Sequence, residues 1–322
     1  MMKSQIDRWI MILAFLLFAL GSPVVKFLVQ RGGELGISHP GSISFCNVLF
    51  VGNLCASALL LLYFKPGHLW REIKRTKHVG YLAISLLFAT IAPAILFTAL
   101  KTTSVTNLVL LSRFEVIVYA ILAFYFLGIN YETRQIYGFI FMGIGILSLV
   151  LVTNTFRVVT GDWLVLFASV LFSIDTMISK TVLTDMKPEV LTFLRTFTSS
   201  ILFFFIGLKM FGTKHFTDAF QGELWEIMMV YSLVLVVLAN LLYYYALPKC
   251  SIGYLTNLAL LSPIMSIGFA FLLLEERPGL THLSAGIIIF LGFAISRLSG
   301  KANPTNFAEA GFLGAQTQTN RQ

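Results

Sequence analysis

Ten apolar runs, each about as long as a bilayer is thick, leave this chain few ways to fold. They lie at about 9–29, 43–64, 79–100, 104–128, 136–154, 163–183, 189–211, 225–247, 251–274 and 279–298. Roughly twenty residues per run is the length of a transmembrane helix. Inside hydrocarbon only a helix or a closed barrel satisfies its own backbone. Barrel strands would alternate apolar and polar residues over about ten positions, and these runs do not. Only 12% of the residues are charged, about half the share in soluble domains. The expected fold class is an all-α polytopic membrane protein with ten transmembrane helices.

A net charge of +8 raises the question of nucleic acid, and its distribution answers it. Lys65, Arg71, Lys74, Arg75 and Lys77 crowd between two apolar runs, the pattern of a short cytoplasmic loop that also meets anionic headgroups of membrane lipids. With the N-terminus inside, thirteen Lys and Arg fall on the cytoplasmic side and six on the other. The positive-inside rule therefore places both termini in the cytoplasm; for a bacterial source the membrane expected is the plasma (inner) one. Ala19-Leu20-Gly21 resembles a signal-peptidase site, yet the run continues through Val29, so residues 9–29 read as a retained helix. Cys46, Cys55 and Cys250 have no metal-like spacing and read as packing residues without disulfides. The five histidines form no ligand pair, so no cofactor or metal is expected.

The chain then repeats itself. Trp9, Ala14, Phe18 and Lys26 recur at one constant shift as Trp163, Ala168, Phe172 and Lys180. Ala99-Leu100 followed by Ser104 matches Ala246-Leu247 followed by Ser251, and Gly138 and Gly145 match Ala285 and Gly292. Residues 1–154 and 155–299 thus read as two five-helix repeats, with 300–322 as a polar, disordered cytoplasmic tail. Five is odd, so the second repeat begins on the opposite side of the membrane, and the repeats are inverted. Inverted repeats recur in secondary transporters, with the site near the midplane where the repeats meet.

Several short stretches carry a resemblance to a known family. They are Phe97-Thr98-Ala99-Leu100, Tyr244-Tyr245-Ala246-Leu247, Leu111-Ser112-Arg113-Phe114-Glu115, Leu261-Ser262-Pro263 and Leu274-Glu275-Glu276-Arg277. In this doubled set the chain resembles the drug/metabolite transporter superfamily, in its EamA-type branch, over residues 9–298. The resemblance implies ten helices and the movement of small metabolites through a central cavity between the halves. Two positions depart from the family pattern: Gly128-Ile129 lacks the acidic residue usual after helix four, and Asn47 stands where arginine is common.

The candidate site residues are polar groups set in apolar runs. Arg113 and Glu115 lie inside the fourth run, where a charge costs roughly 2.5–3.5 kcal/mol on the insertion scale. Two positions apart on a helix, they project about 200° from one another and cannot pair directly. Asp175, at similar depth in the sixth run, is the expected partner of Arg113. Glu115 is expected to line the cavity as an amine contact or proton carrier, with a packing ion pair as the alternative. Arg195, Asn257 and Tyr244 are further candidate contacts. Lys26 and Lys180 read either as symmetric gate residues or as chains snorkelling to headgroups. Pro93, aligned with Asn240, and Pro263 read as bends that free carbonyls. The glycines of helices five and ten suit close helix contact, within one chain or across a homodimer.

No GxxxxGK[ST] loop is present, so ATP does not drive the expected activity through this chain. The sequence is read as a secondary, alternating-access transporter of a small, amino-acid-like metabolite, with protons as a candidate coupling ion. The alternative is a membrane-embedded enzyme using Glu115 or Asp175 as acid or base.

Overall fold

The computed structural model describes residues 2–31, 45–63, 69, 71–73, 76, 78–127, 131–152, 159–183, 186–212, 222–246 and 252–297. The tail at 300–322 lies outside them, as does Asn47's side chain. Every regular element among the described residues is helical: α1 (Met2–Arg31), α2 (Phe45–Tyr63), α3 (Val79–Ala99), α4 (Val105–Leu111), α5 (Phe114–Leu127), α6 (Thr133–Val152), α7 (Thr160–Val182), α8 (Pro188–Phe211), α9 (Gly222–Tyr231), a π-helical segment (Ser232–Leu238), α10 (Ala239–Ala246), α11 (Ile252–Leu274) and α12 (Leu280–Arg297). Seven stretches among them are long and apolar enough to cross a membrane, and three shorter apolar helices, Val48–Leu62, Leu261–Leu274 and Leu280–Ser296, occupy the other runs.

Two runs depart from the regular helix expected of them. The fourth is broken into α4 and α5 at Ser112-Arg113. Ser104 caps the start of α4, its hydroxyl accepting from Asn107 N at 3.0 Å. At the other end Ser112 Oγ donates to the Val109 carbonyl at 2.9 Å, the acceptor that the Arg113 amide would take in a continuing helix. The Arg113 amide bonds instead to Leu110 O, Glu115 N to Ser112 O and Val116 N to Arg113 O. These are bonds three residues back, so the backbone tightens to 3-10 geometry through the charged residues. The eighth run holds the π-helical segment, anchored where Ser232 Oγ donates to Gly52 O on α2 at 2.7 Å. Within it the Val236 carbonyl accepts from Asn240 Nδ2 at 2.6 Å.

The chain forms two compact units, one of Met1–Ala94 with Thr181–Met265, the other of Ile95–Lys180 with Ser266–Gln322. Each draws on both halves of the sequence. In the first unit α2 packs on α8, the π-helical segment and α9, and α1 packs on α10. Ala56, Leu60, Leu69, Phe193 and Val237 form an apolar cluster there, and Tyr243 meets Phe15 and Phe18 edge-on. Apolar burial stabilises such clusters by about 25 cal/mol per Å² only against water; in lipid, close packing and small residues carry the load.

The second unit shows this most plainly. Its α6 and α12 approach so closely that a Cβ on Gly138 would lie 2.5 Å from Gly292 O, and one on Gly292 would lie 2.6 Å from Gly138 O. The glycine faces expected to serve either a fold or a homodimer are therefore occupied within the chain. All seven residues of α4 are buried. Glu275 ends α11 with a left-handed φ of 55°, uncommon for a residue bearing a side chain. From the next position Glu276 accepts from Val105 N at 3.2 Å and Thr106 N at 3.3 Å. Its two carboxylate oxygens thus cap the positive end of α4.

Candidate functional site

The break between α4 and α5 sets Arg113 in a turn and Glu115 in the first turn of α5, facing polar residues of α7. Ser173 Oγ lies 2.9 Å from the Glu115 carbonyl and 2.8 Å from that of Ser169, donating to one at a time. Thr176 Oγ1 donates to Glu115 Oε1 at 3.4 Å, a long contact and correspondingly weak. Asp175, only 6% exposed, accepts at Oδ1 from Ser179 Oγ at 3.1 Å on its own helix. Glu115 is within electrostatic reach of both Arg113 and Asp175.

Among the described residues the Arg113 side chain makes one hydrogen bond, from Nη2 to the neighbouring Ser112 Oγ at 3.4 Å. Its buried Nε meets no acceptor among the described residues. The expected ion pair with Asp175 is absent among the described residues, which corrects the sequence reading. The reason is the break: depth along a continuous helix predicted the pairing, and the turn removes Arg113 from that helix. The expectation that Arg113 and Glu115 do not pair directly agrees with the structure, since no ion pair joins them among the described residues.

A second polar group in the same unit escaped the sequence reading. Asp162, with no exposed surface, accepts from Thr103 Oγ1 at 2.7 Å and from Asn107 Nδ2 at 3.4 Å. Asp162 sits in the first turn of α7, where its charge suits the helix dipole. That position was the available signal. Close approach also matters here, because a Cβ on Gly161 would lie 2.6 Å from Thr102 Oγ1. Outside the apolar helices, burial pushes the Tyr131 phenol up to about 12, with Tyr119 contributing. Among the described residues no three His, Cys, Asp or Glu side chains converge as metal ligands.

The remaining candidates divide between the units. Arg195 on α8, half-buried, donates from Nη2 to Ser85 Oγ on α3 at 2.9 Å. Lys26 is only 7% exposed. Tyr244, Asn257 and Lys180 hold helical positions, and their side chains lie outside the described residues. Pro93 and Pro263 do not end their helices; α3 and α11 continue through them. Both lie within two residues of the points, Ala94-Ile95 and Met265-Ser266, at which the chain passes from one compact unit to the other. Lys180 stands at the third such point.

Comparison with known proteins gives a consistent picture. The model described as the EamA-like transporter family matches twice, over residues 7–151 and 159–298. A protein of Synechocystis sp. described as an uncharacterized transporter is 31% identical over 296 residues, spanning 88% of this chain and 84% of its own. An uncharacterized transporter of Methanothermobacter thermautotrophicus is 25% identical over 242 residues, spanning 74% of this chain and 69% of its own. One solved crystal structure shares the fold at a TM-score of 0.54 and 15% identity, over 91% of this chain and 98% of that one.

Proposed function

The chain belongs to the EamA-like transporter family, and from that premise we propose that it is a secondary transporter moving a small, amino-acid-like metabolite by alternating access. That it is a membrane transporter follows from the family and from its apolar helices. The finer reading takes ten helices in two inverted repeats, with both termini cytoplasmic. One family model fitting the chain twice supports the repeat, and five helices per copy supply the inversion.

The observation that carries the site assignment is the broken helix with its two weakly satisfied charges. Among the described residues Glu115 receives one hydrogen bond, from Thr176, and the Arg113 side chain gives one, to Ser112, both at 3.4 Å. A guanidinium inside a membrane helix is costly unless something neutralises it. A substrate carboxylate can supply that counter-charge in a two-pronged contact, and the nearby Glu115 is then placed for the substrate amine or for a proton. Pro93 and Pro263 serve as bends at which α3 and α11 flex, since each proline removes one helical hydrogen bond.

The test is flux in proteoliposomes across a panel of amino acids and related metabolites, with and without a proton gradient. Arg113→Gln and Glu115→Gln, each shown to be monodisperse, should lower flux at least about tenfold, the cost of one charged hydrogen bond. Full flux in both variants would remove the site, and no flux for any compound in the wild type would remove the transport reading.

A further inference from the structure

On the first compact unit, α1 meets α9 and the π-helical segment across an open groove of about 470 Å³. Val24 and Leu28 of α1 line it with Val230, Tyr231 and Val234. Its volume falls in the range of small-molecule sites, roughly 300–1,000 Å³, and its walls are apolar. The one acidic residue lining it is Glu226. That side chain is exposed, and no described residue bonds to it.

Position along the helix gives the groove a direction. Glu226 lies in the first turns of α9, next to Trp225, near the end of an apolar span, where aromatic side chains settle at the headgroup level. Val234 is eight residues further along, on the order of 10 Å deeper into the hydrocarbon. Leu28 and Val24 follow the same direction on α1, whose C-terminus is Arg31. The groove therefore runs from a carboxylate at the membrane boundary into an apolar interior. Its inner part comes from the π-helical segment, a geometry often found at functional sites. Ser232, bonded to Gly52, anchors that geometry.

A groove of this form fits a lipid, with one acyl chain along the apolar wall and the headgroup at Glu226. The carboxylate decides which headgroup. It repels a net-negative lipid, and a choline ammonium has no N–H to offer it. A primary ammonium donates a charge-assisted hydrogen bond, roughly twice as strong as a neutral one. We propose that the groove is a binding site for phosphatidylethanolamine, held by its ammonium on Glu226 and by one chain against Val24, Leu28, Val230 and Val234. The site holds whatever the transported metabolite is.

Native mass spectrometry of the full chain in detergent tests this, with equimolar palmitoyl-oleoyl phosphatidylethanolamine, phosphatidylcholine and phosphatidylglycerol as the probes. The wild type should retain phosphatidylethanolamine about tenfold over either competitor, the range for one hydrogen bond to a charged group. Glu226→Gln should abolish that preference, and Glu226→Lys should turn it toward phosphatidylglycerol. Val230 is 63% exposed, so Val230→Trp should fold and, by filling the groove, lower retention of all three lipids. Equal retention of the three by the wild type, an adventitious lipid only, would overturn the proposal. So would an unchanged preference in Glu226→Gln or Glu226→Lys, or unchanged retention in Val230→Trp.

Discussion

Adding one methyl group at Gly138 should loosen the second unit more than any other alanine substitution at a described glycine. The new Cβ would lie 2.5 Å from Gly292 O and Ser296 Cβ and 2.6 Å from Ser296 N. Two of these atoms are backbone and the third is fixed to it, so no side chain can swing aside. Relief requires α6 and α12 to part by about 1 Å, which forfeits a quarter to a half of each dispersion contact nearby. Overpacking of this kind costs about 1–3 kcal/mol and more where backbone is struck. Alanine returns at most about 1 kcal/mol in helix propensity. A net loss of about 2 kcal/mol should lower the apparent Tm by roughly 4–8 °C, read as monodisperse protein surviving a heating series in detergent. Gly52→Ala is the matched control, because its nearest neighbours would be Met228 Sδ at 3.7 Å and the Tyr231 ring at 3.8 Å, ordinary contacts. Equal shifts for the two variants would refute the packing described for α6 and α12. A change of oligomeric state in Gly138→Ala with unchanged Tm would return these glycines to a dimer interface.

Two further outcomes follow from the second unit. Glu276→Gln keeps the shape of the α4 cap but removes its charge from Val105 N and Thr106 N. It should cost about 1 kcal/mol, a fall of a few degrees in the same heating assay; no fall would deny the cap. Arg113→Gln should leave the apparent Tm unchanged or raise it, because it deletes a half-buried charge with no ion partner among the described residues. A loss of about 3–5 kcal/mol, the cost of breaking a buried ion pair, would show that Arg113 holds the fold together.

The runs of apolar residues and the charges within them were legible from the sequence because each depends on local composition. The two irregular helices were not. Leu108 to Leu111 and Phe114 to Leu127 read as one run, with neither glycine nor proline to interrupt them until Gly128. At the break the Ser112 hydroxyl donates to the Val109 carbonyl, and polar residues of α7 meet the far side, some sixty positions later in the chain. Likewise Ser232 to Leu238 is an ordinary apolar stretch by composition, and its π geometry is tied to the carbonyl of Gly52 on another helix. The residues that announce a break, Pro93 and Pro263, sit inside continuous helices. Proline in a membrane helix is tolerated when neighbouring groups take up the freed carbonyl, so its presence marks a weak point and not an end.

The same contrast bears on the two charges proposed for the site. Residue spacing alone separated Arg113 from Glu115 and favoured the glutamate as the group awaiting a ligand. Spacing has no way to see that Thr176 reaches Glu115, because that contact depends on how α7 packs against the start of α5. Among the described residues each charge has one side-chain hydrogen bond, Thr176 to Glu115 and Arg113 to Ser112, both at 3.4 Å, so each is left short of a counter-charge. Hydrogen bonds of that length recover little of the penalty for a charge within a membrane. Asp175 forms no ion pair with Arg113 among the described residues and acts electrostatically on Glu115. The proposed substrate, with a carboxylate and an amine, would meet both needs at once. A simple amine would leave Arg113 as costly as before, and a simple acid would leave Glu115 without a cation of its own.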